Sequence, residues 1–315
     1  MNKRGFIYVI SAGLLVTVLL VVFFSMQEFT FEEESSAQLR RVSFANDFVS
    51  GFNQDLERAL NIASFRSMVA LEEHIASTGS FLDDTQSYFI EVIESGLING
   101  SAYQIMTNSS LEVYLERVNI IASNFGLEVD VRINNISLEQ FDAWNLFVSI
   151  NASVVIVDMT GLANWSYMRV YDSVVPISNL RDPLYTVSTR NRVSNTIREF
   201  NQSFSSSDIS TFLEFLEGSY YVEMPNRAPS FIQRFSNNNE SSPFGIVSLV
   251  DVLDISDQDL DTFPDRVKLD FIYFNNLPVS EPVCSIAGVP LSYHLLLPNS
   301  TVDMFELNDF IIDCD

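Results

Sequence analysis

Two basic residues near the start of the sequence, Lys3 and Arg4, precede a long apolar run, and a cluster of acidic residues follows it. From Phe6 to Phe24 there are 19 residues without a charge, which as a helix would extend roughly 28 Å, close to the thickness of the hydrocarbon core of a bilayer. A cleaved secretory signal is usually shorter, and here Phe23 stands where a small residue is needed for cleavage after Ser25. A buried core helix is the other alternative, but such helices are rarely apolar on all sides. The pattern therefore predicts a retained transmembrane helix over residues 6–27.

The charges that flank this run predict its orientation. Lys3 and Arg4 precede it, and positively charged residues tend to stay on the cytoplasmic side of a membrane. The expectation is a single-pass protein of the cell membrane, in contact with membrane lipid, with a cytoplasmic N-terminus and an extracellular ectodomain that begins near residue 28.

Helical periodicity continues beyond the apolar run. Apolar residues recur every three or four positions and predict one long helix from about residue 35 to 75; they are Val42, Ala45, Val49, Phe52, Leu56, Leu60 and Ala63. A second helix is predicted over about 82–97. A third is predicted to begin directly after Ser109, which forms a capping box with Glu112 in the first turn, and to end at Gly126.

The period then changes from helical to alternating. Apolar and polar positions alternate over 127–134, and again over 144–157, where Val148 falls on the apolar face and Ser149 on the polar one. A turn leads into a third alternating stretch over 165–177. Alternation with one apolar face and local hairpins predicts an antiparallel sheet, so the expected fold class is α+β, with an N-terminal transmembrane helix, a long helical region and an antiparallel β-sheet ectodomain.

These patterns predict five segments along the chain. In order they are a basic leader (1–5), the transmembrane helix (6–27), a helical region (28–126), an antiparallel sheet region (127–200) and a C-terminal α+β subdomain (201–315). In the last segment, short helices are expected near 209–216 and 229–235, and a strand over 267–274.

Composition excludes some classes of function. Apolar residues make up 47% of the chain and 26 residues are Phe, which favours a packed core over disorder. Beyond residue 27, 15 basic residues against 41 acidic residues give a net charge of −26. Such a surface repels nucleic acid, so no nucleic acid partner is expected.

Two features are typical of exported proteins. Cys284 and Cys314 can form one disulfide, the alternative being two free buried thiols. Eight asparagines lie in N-x-[ST] sequons, where roughly four are expected by chance. These glycosylation candidates are Asn99, Asn108, Asn135, Asn151, Asn164, Asn201, Asn239 and Asn299.

The sequence contains no recognisable catalytic motif. His74 and His294 are the only histidines, and neither belongs to a metal-binding H-E-x-x-H pattern. A nucleophile elbow, a phosphate-binding glycine loop and a C-x-x-C pair are also missing from the sequence. Neither an enzymatic activity nor a cofactor is expected.

One acidic run partly matches a calcium-binding loop. Asp257, Asp259 and Asp261 occupy the first, third and fifth positions of an EF-hand, but Thr262 replaces the glycine and Lys268 replaces the final glutamate. A plain solvated loop is the favoured interpretation, and a looser Ca²⁺ site is the alternative.

The leader resembles the class III signal peptide of archaeal type IV pilins, over about the first 25 residues. In that family a prepilin peptidase cuts after a glycine that precedes the apolar helix, and the helix is retained. Lys3, Arg4 and Gly5 match this arrangement, which implies a cut before Phe6 and association of the helix with other pilin-like subunits. The sequence departs from bacterial pilins at Ile10, where they carry a glutamate.

Two internal stretches are similar to stretches that recur in archaeal surface proteins with a pilin-like N-terminus. They are VPISNLRDPLYTV (175–187) and APSFIQRF…SPFGIVSLVD (228–251). The similarity implies kinship and location, and no activity.

The leading hypothesis from the sequence is a pilin-like, membrane-anchored extracellular structural or adhesive protein, such as a minor subunit of a type IV-like filament or a related surface assembly. A single-pass cell-surface receptor or adhesin with an uncut anchor is the first alternative. An anchored extracellular hydrolase is the second.

Overall fold

The N-terminal quarter of the chain forms one continuous helix. In the computed structural model, which describes the backbone of residues 3–290 and 295–315 and the side chains of residues 14–25, 36–290 and 295–315, helix α1 extends over Lys3–Thr78. Most of the stripe predicted for this helix is buried, namely Ala45, Phe52, Leu56, Leu60 and Ala63. The helix expected over 35–75 is therefore confirmed as part of a longer one.

The predicted transmembrane helix is contradicted. Within the described part of the chain, no helix is long and apolar enough to cross a membrane. The side chains of 6–13 and 26–27 lie outside the described residues. The same finding contradicts the expectation of a single-pass membrane protein with a cytoplasmic N-terminus and an extracellular ectodomain.

Two further helices and a small hairpin follow α1. Their bounds are α2 (Thr85–Ser95), β1 (Leu97–Ile98), β2 (Ser101–Ala102), a 3₁₀ turn (Gln104–Met106) and α3 (Leu111–Asn124). Helix α3 begins one residue later than expected, because Ser110 Oγ, and not Ser109, accepts the N–H of Val113 at 3.4 Å. It ends before Gly126, whose φ of +69° is the left-handed conformation that glycine tolerates best.

The alternating stretches form a three-stranded sheet. Strands β3 (Leu127–Gln140), β4 (Asn145–Asp158) and β5 (Asn164–Pro176) lie in the order β3-β4-β5. Along β4, burial alternates at every residue: Val148 is fully buried and Ser149 is half-buried. The predicted strands and their faces are confirmed, and the protein is α+β with small antiparallel sheets.

The C-terminal half contains short elements. They are α4 (Pro183–Ser188), α5 (Ser210–Glu217), β6 (Tyr221–Glu223), α6 (Phe231–Phe235), β7 (Ile246–Ser248), α7 (Val252–Asp257), α8 (Asp270–Asn275), β8 (Val283–Ile286), β9 (Leu296–Pro298), α9 (Asn299–Met304), a 3₁₀ turn (Asn308–Phe310) and β10 (Ile311–Cys314). Strands β6 and β7 pair, and β10, β8 and β9 form a second three-stranded sheet in that order. The two predicted short helices correspond to α5 and α6.

The strand predicted over 267–274 is wrong, because most of this stretch is helix α8. A short apolar run does not by itself distinguish a strand from a buried helix. Asp270 starts the helix and accepts the N–H of Phe271 at 2.7 Å, and Asn276 ends it with a φ of +49°. Only the isolated bridge between Leu249 and Leu269 has strand character in this stretch.

Phenylalanine rings fill one core of the C-terminal half. Phe305 is fully buried, and its ring centroid lies 5.0 Å from that of Phe204, 5.4 Å from that of Phe212 and 5.3 Å from that of Phe215. Offset and edge-to-face ring pairs at such distances are favourable beyond the area that they bury. The packed aromatic core expected from the Phe content is confirmed.

The chain divides into two compact units that are not contiguous in sequence. The first comprises residues 1–55, 118–131 and 154–167, and the second comprises 56–117, 132–153 and 168–315. The units are defined by contacts, whereas the five segments expected from the sequence were defined by chain order. The division therefore does not test those segments, which stay a prediction.

Candidate functional site

The most prominent surface feature is an apolar segment of α1, residues 14–24. Ten large apolar side chains in it are between 48% and 66% exposed; they are Leu14, Leu15, Val16, Val18, Leu19, Leu20, Val21, Val22, Phe23 and Phe24. With 3.6 residues per turn, these positions cover every side of the helix. Isolated apolar side chains are common on protein surfaces, but a contiguous apolar surface usually marks an interaction site. The apolar segment is therefore a candidate interface.

The predicted processing site lies next to this segment along the chain. The side chains of Lys3, Arg4, Gly5 and Phe6 lie outside the described residues. The cut between Gly5 and Phe6 stays a prediction.

Further along α1, Arg41 is bonded to the turn between β4 and β5. Its Nε and Nη2 atoms donate to the carboxylate of Asp158 at 3.0 and 2.7 Å, and Nη2 also donates to the carbonyl of Gly126 at 3.3 Å. Asp158 also accepts the N–H and hydroxyl of Thr160, which shapes the turn. The hydrogen bonds from Arg41 hold the pKa of Asp158 well below its usual range. The sequence predicted this turn but not its partner on the helix.

Most of the candidate glycosylation sites are accessible. The exposed asparagines are Asn99, Asn108, Asn135, Asn164, Asn201 and Asn299. Asn151 is half-buried on the polar face of β4. Asn239 is also half-buried, and its amide donates to the carbonyl of Asn237 at 3.3 Å and accepts from Asn275 at 3.0 Å. A glycan on Asn239 would have to displace these bonds, so the exposed six are better acceptors by geometry.

The predicted disulfide is confirmed. Cys284 on β8 and Cys314 on β10 are bonded, at paired positions of the two strands. Cys284 is fully buried and Cys314 is exposed. The alternative of two free buried thiols is thereby excluded.

The acidic run does not form a metal site among the described residues. Asp257 is the last residue of helix α7, Asp259 has a φ of +53° and Asp261 lies in the following loop. Within the described part of the chain, no group of three or more His, Cys, Asp or Glu side chains is placed to hold a metal ion.

The ammonium group of Lys268 is bound by backbone carbonyls of the same loop. Lys268 Nζ donates to the carbonyls of Phe263, Pro264 and Arg266 at 3.2, 2.8 and 2.6 Å, so all three of its N–H groups are used. Burial lowers the pKa of Lys268 to about 8. Lys268, one of the two residues that break the calcium-loop pattern, therefore holds three carbonyl groups of this loop.

A buried ionic cluster lies beneath the C-terminal elements. Arg234 Nη1 donates to Asp182 at 2.7 Å and to Asp270 at 2.8 Å, and all three side chains are inaccessible to solvent. The hydroxyl of Tyr221 donates to Asp182 at 2.7 Å, and the N–H of Ser248 donates to Asp270 at 3.1 Å. Burial raises the pKa of Asp270. Because water cannot reach it, we interpret the cluster as part of the architecture and not as a reaction centre.

The cluster could not be predicted from the sequence, because its charges belong to three separate elements. Its only signal is the placement of single charges inside apolar runs. Arg234 stands between Phe231 and Phe235 in α6, and Asp270 stands between Leu269 and Phe271. A charge in such a position is rarely buried without a partner.

Burial also shifts the pKa values of two other side chains, Glu72 and His74. Glu72, on α1, accepts the N–H of Arg181 at 2.9 Å, and burial raises its pKa to about 8. His74 Nδ1 lies 2.7 Å from the hydroxyl of Tyr103, and burial lowers its pKa. The backbone N–H of Arg181 and the hydroxyl of Tyr103 give each of them a structural partner. His294 lies outside the described residues.

Comparisons with protein-family models, with curated proteins and with solved structures found no match to this chain.

Proposed function

We propose that the protein is a structural subunit that assembles with further copies of itself through the apolar segment, in the manner of a pilin-like stem. The observation that supports the proposal is the exposure of ten large apolar side chains on all sides of α1 over residues 14–24. Covering such a surface removes apolar area from water, at roughly 25 cal/mol per Å². A helix that is apolar on all sides is usually buried, so neighbours are expected to cover this segment.

The nature of the segment favours a second copy as the neighbour. No residue from 14 to 25 carries a charge or is an Asn or Gln, so the surface offers little for a polar partner to recognise. A copy of the same helix brings a matching uncharged surface. Because the apolar positions surround the helix, one neighbour leaves part of them exposed and several neighbours are needed. The geometry therefore favours a bundle of stems over a single dimer contact.

Two further observations agree with a structural protein of an oxidising environment. The disulfide between Cys284 and Cys314 is one. The other is the formal net charge of −24, which keeps the rest of the surface well hydrated and limits unspecific association through it. Removal of the leader between Gly5 and Phe6 belongs to the same proposal, and N-terminal analysis of the native protein tests it.

The test compares two substitutions on the same helix. Leu19, in the apolar segment, is 59% exposed, and Leu39, outside it, is 69% exposed. The full chain, Leu19→Asp and Leu39→Asp are compared by sedimentation velocity and by electron microscopy. We expect discrete oligomers or filaments from the wild type and from Leu39→Asp, and monomers from Leu19→Asp, because a charge within the bundle would lose its hydration.

Two outcomes would contradict the proposal. One is a wild-type chain that stays monomeric, whether free or bound to neutral lipid vesicles. The other is equal loss of assembly in both variants, which would place the interface outside residues 14–24. Circular dichroism of all three proteins serves as the control for folding.

A further inference from the structure

A cleft in the C-terminal half combines arginine, carboxylate and aromatic side chains. It has a volume of about 420 Å³, within the usual range for small-molecule sites, and it lies among α4, the loop after α4, the loop after α7 and helix α8. Its lining includes Arg190, Arg192 and Arg266, together with Asp259 and Asp261.

The three arginines keep hydrogen-bond donors available. Arg192 Nη1 donates to the carbonyl of Gln258 at 3.1 Å, and Arg266 Nη1 donates to the carbonyl of Tyr273 at 3.0 Å. Within the described residues none of the three arginines forms an ion pair, although both aspartates line the same cleft. A guanidinium carries five N–H donors, so each arginine retains several for a ligand.

One of these arginines is held in place before any ligand arrives. The guanidinium of Arg266 lies 3.8 Å from the centroid of the Phe263 ring, and the hydroxyl of Tyr273 in turn accepts the N–H of Phe263 at 3.0 Å. A donor that is already ordered costs less entropy to use in binding. Phe263 is itself 41% exposed and offers an apolar surface at the cleft.

We infer that this cleft binds a hydroxylated carboxylic acid of the size of one sugar ring, that is, a uronic acid either free or within an acidic polysaccharide. Arginine pairs with a carboxylate through two parallel hydrogen bonds. The carboxylates of Asp259 and Asp261 accept hydrogen bonds from hydroxyl groups. The exposed ring of Phe263 packs against the apolar face of a sugar.

The two aspartates also restrict the charge of the ligand. Three arginines and two aspartates give the lining a formal charge of +1 in a chain whose net charge is −24, so this is a locally favourable place for a single negative charge. A densely charged anion such as phosphate would meet the carboxylates of Asp259 and Asp261 as like charges. This inference is independent of assembly through the apolar segment.

Calorimetric titration of the full chain tests the inference. The ligands are glucuronate, glucose as its neutral counterpart, inorganic phosphate and a short polyuronate. We expect saturable binding of glucuronate, and binding of glucose and phosphate that is weaker by at least about tenfold, because a charge-assisted bond or the hydroxyl contacts are lost. If the polyuronate binds as tightly as glucuronate or more tightly, the polymer is a source of the ligand. If glucuronate binds and the polyuronate does not, the ligand is the free monomer. Both outcomes support the inference.

Single substitutions measure how much individual side chains of the cleft contribute to glucuronate binding. The side chain of Arg190 is exposed and forms no hydrogen bond with the described residues, so Arg190→Gln should leave the fold intact and weaken glucuronate binding about tenfold. Phe263→Ala should weaken glucuronate binding more than phosphate binding, because it removes the contact with the sugar ring in addition to loosening Arg266. Arg58→Gln, at an exposed arginine that is not part of this cleft, is the matched control and should bind like the wild type.

The inference is overturned by any of three results. These are no binding of glucuronate, equal binding of glucose and glucuronate, or phosphate binding as tight as glucuronate binding with no effect of Phe263→Ala. The last would describe a simple anion site.

Discussion

Arg234 Nη1 lies 2.8 Å from Asp270 Oδ2, and neither side chain is accessible to solvent. The same nitrogen lies 2.7 Å from Asp182 Oδ2, so one cation joins the residue before α4 to the start of α8. Buried charges are tolerated only when they are paired and hydrogen-bonded. The pairing therefore determines how α4, α6 and α8 pack.

Replacing Arg234 by Met should destabilise the protein strongly. Two buried carboxylates would lose their cation, and breaking a buried pair in this way costs roughly 3–5 kcal/mol. The matched control is Arg169→Met, which removes an exposed pair with Glu57 at 2.8 Å and should cost less than about 1 kcal/mol. Urea unfolding followed by circular dichroism measures both. Similar losses for the two variants would show that the buried cluster does not have the role assigned here.

Glu72 should make the stability of the protein depend on pH. Burial raises its folded pKa from 4.5 to about 8, so between these values the unfolded chain releases a proton that the folded chain retains. The free energy of unfolding is therefore highest below pH 4.5 and falls as the pH rises towards 8. At about 1.4 kcal/mol per pKa unit, the fall due to Glu72 is up to roughly 5 kcal/mol.

The variant Glu72→Gln tests this dependence. It keeps an oxygen that can accept the N–H of Arg181 but cannot ionise. The wild type and the variant should be close in stability at about pH 5, and the variant should be the more stable one near the folded pKa of about 8. Glu73→Gln, the neighbouring exposed residue, is the control. Parallel pH profiles for the wild type and Glu72→Gln would contradict the assigned pKa.

The sequence predicted the regular elements well, because long periodic patterns are hard to produce by chance. The alternation over 144–157 is a good example, since one face of β4 is buried along its whole length. Short elements such as α8 were less predictable, because a run of a few apolar residues fits both helix and strand. The cleft that includes Arg190 and Arg266 could not be predicted, since only the folded chain brings these residues together.

The two faces of β4 should respond differently to the same substitution. Val148 is fully buried, so Val148→Asp would place an unpaired charge in the core and should cost roughly 4 kcal/mol. Ser149 is half-buried on the opposite face, and Ser149→Asp should cost less than about 1 kcal/mol. Thermal unfolding of both variants measures the difference. Equal melting temperatures would show that the faces are assigned wrongly.

The disulfide between Cys284 and Cys314 should stabilise the C-terminal end of the chain. It closes a loop with a sequence separation of 30 and joins paired positions of β8 and β10. A loop of this length corresponds to roughly 3–4 kcal/mol in the loop-entropy model. Strand β10 is also an edge strand, which pairs with β8 alone.

Cys314→Ser is the informative variant, because Cys314 is exposed and the substitution itself changes little besides the bond. We expect it to lose roughly 3 kcal/mol of stability in urea unfolding. Amide hydrogens of 311–315 should exchange faster, while those of β4 keep their protection, since the bond holds β10 against β8. A reducing agent should have the same effect on the wild type and none on the variant. A wild-type chain whose stability and exchange are unchanged by reduction would show that the bond does not hold β10 in place.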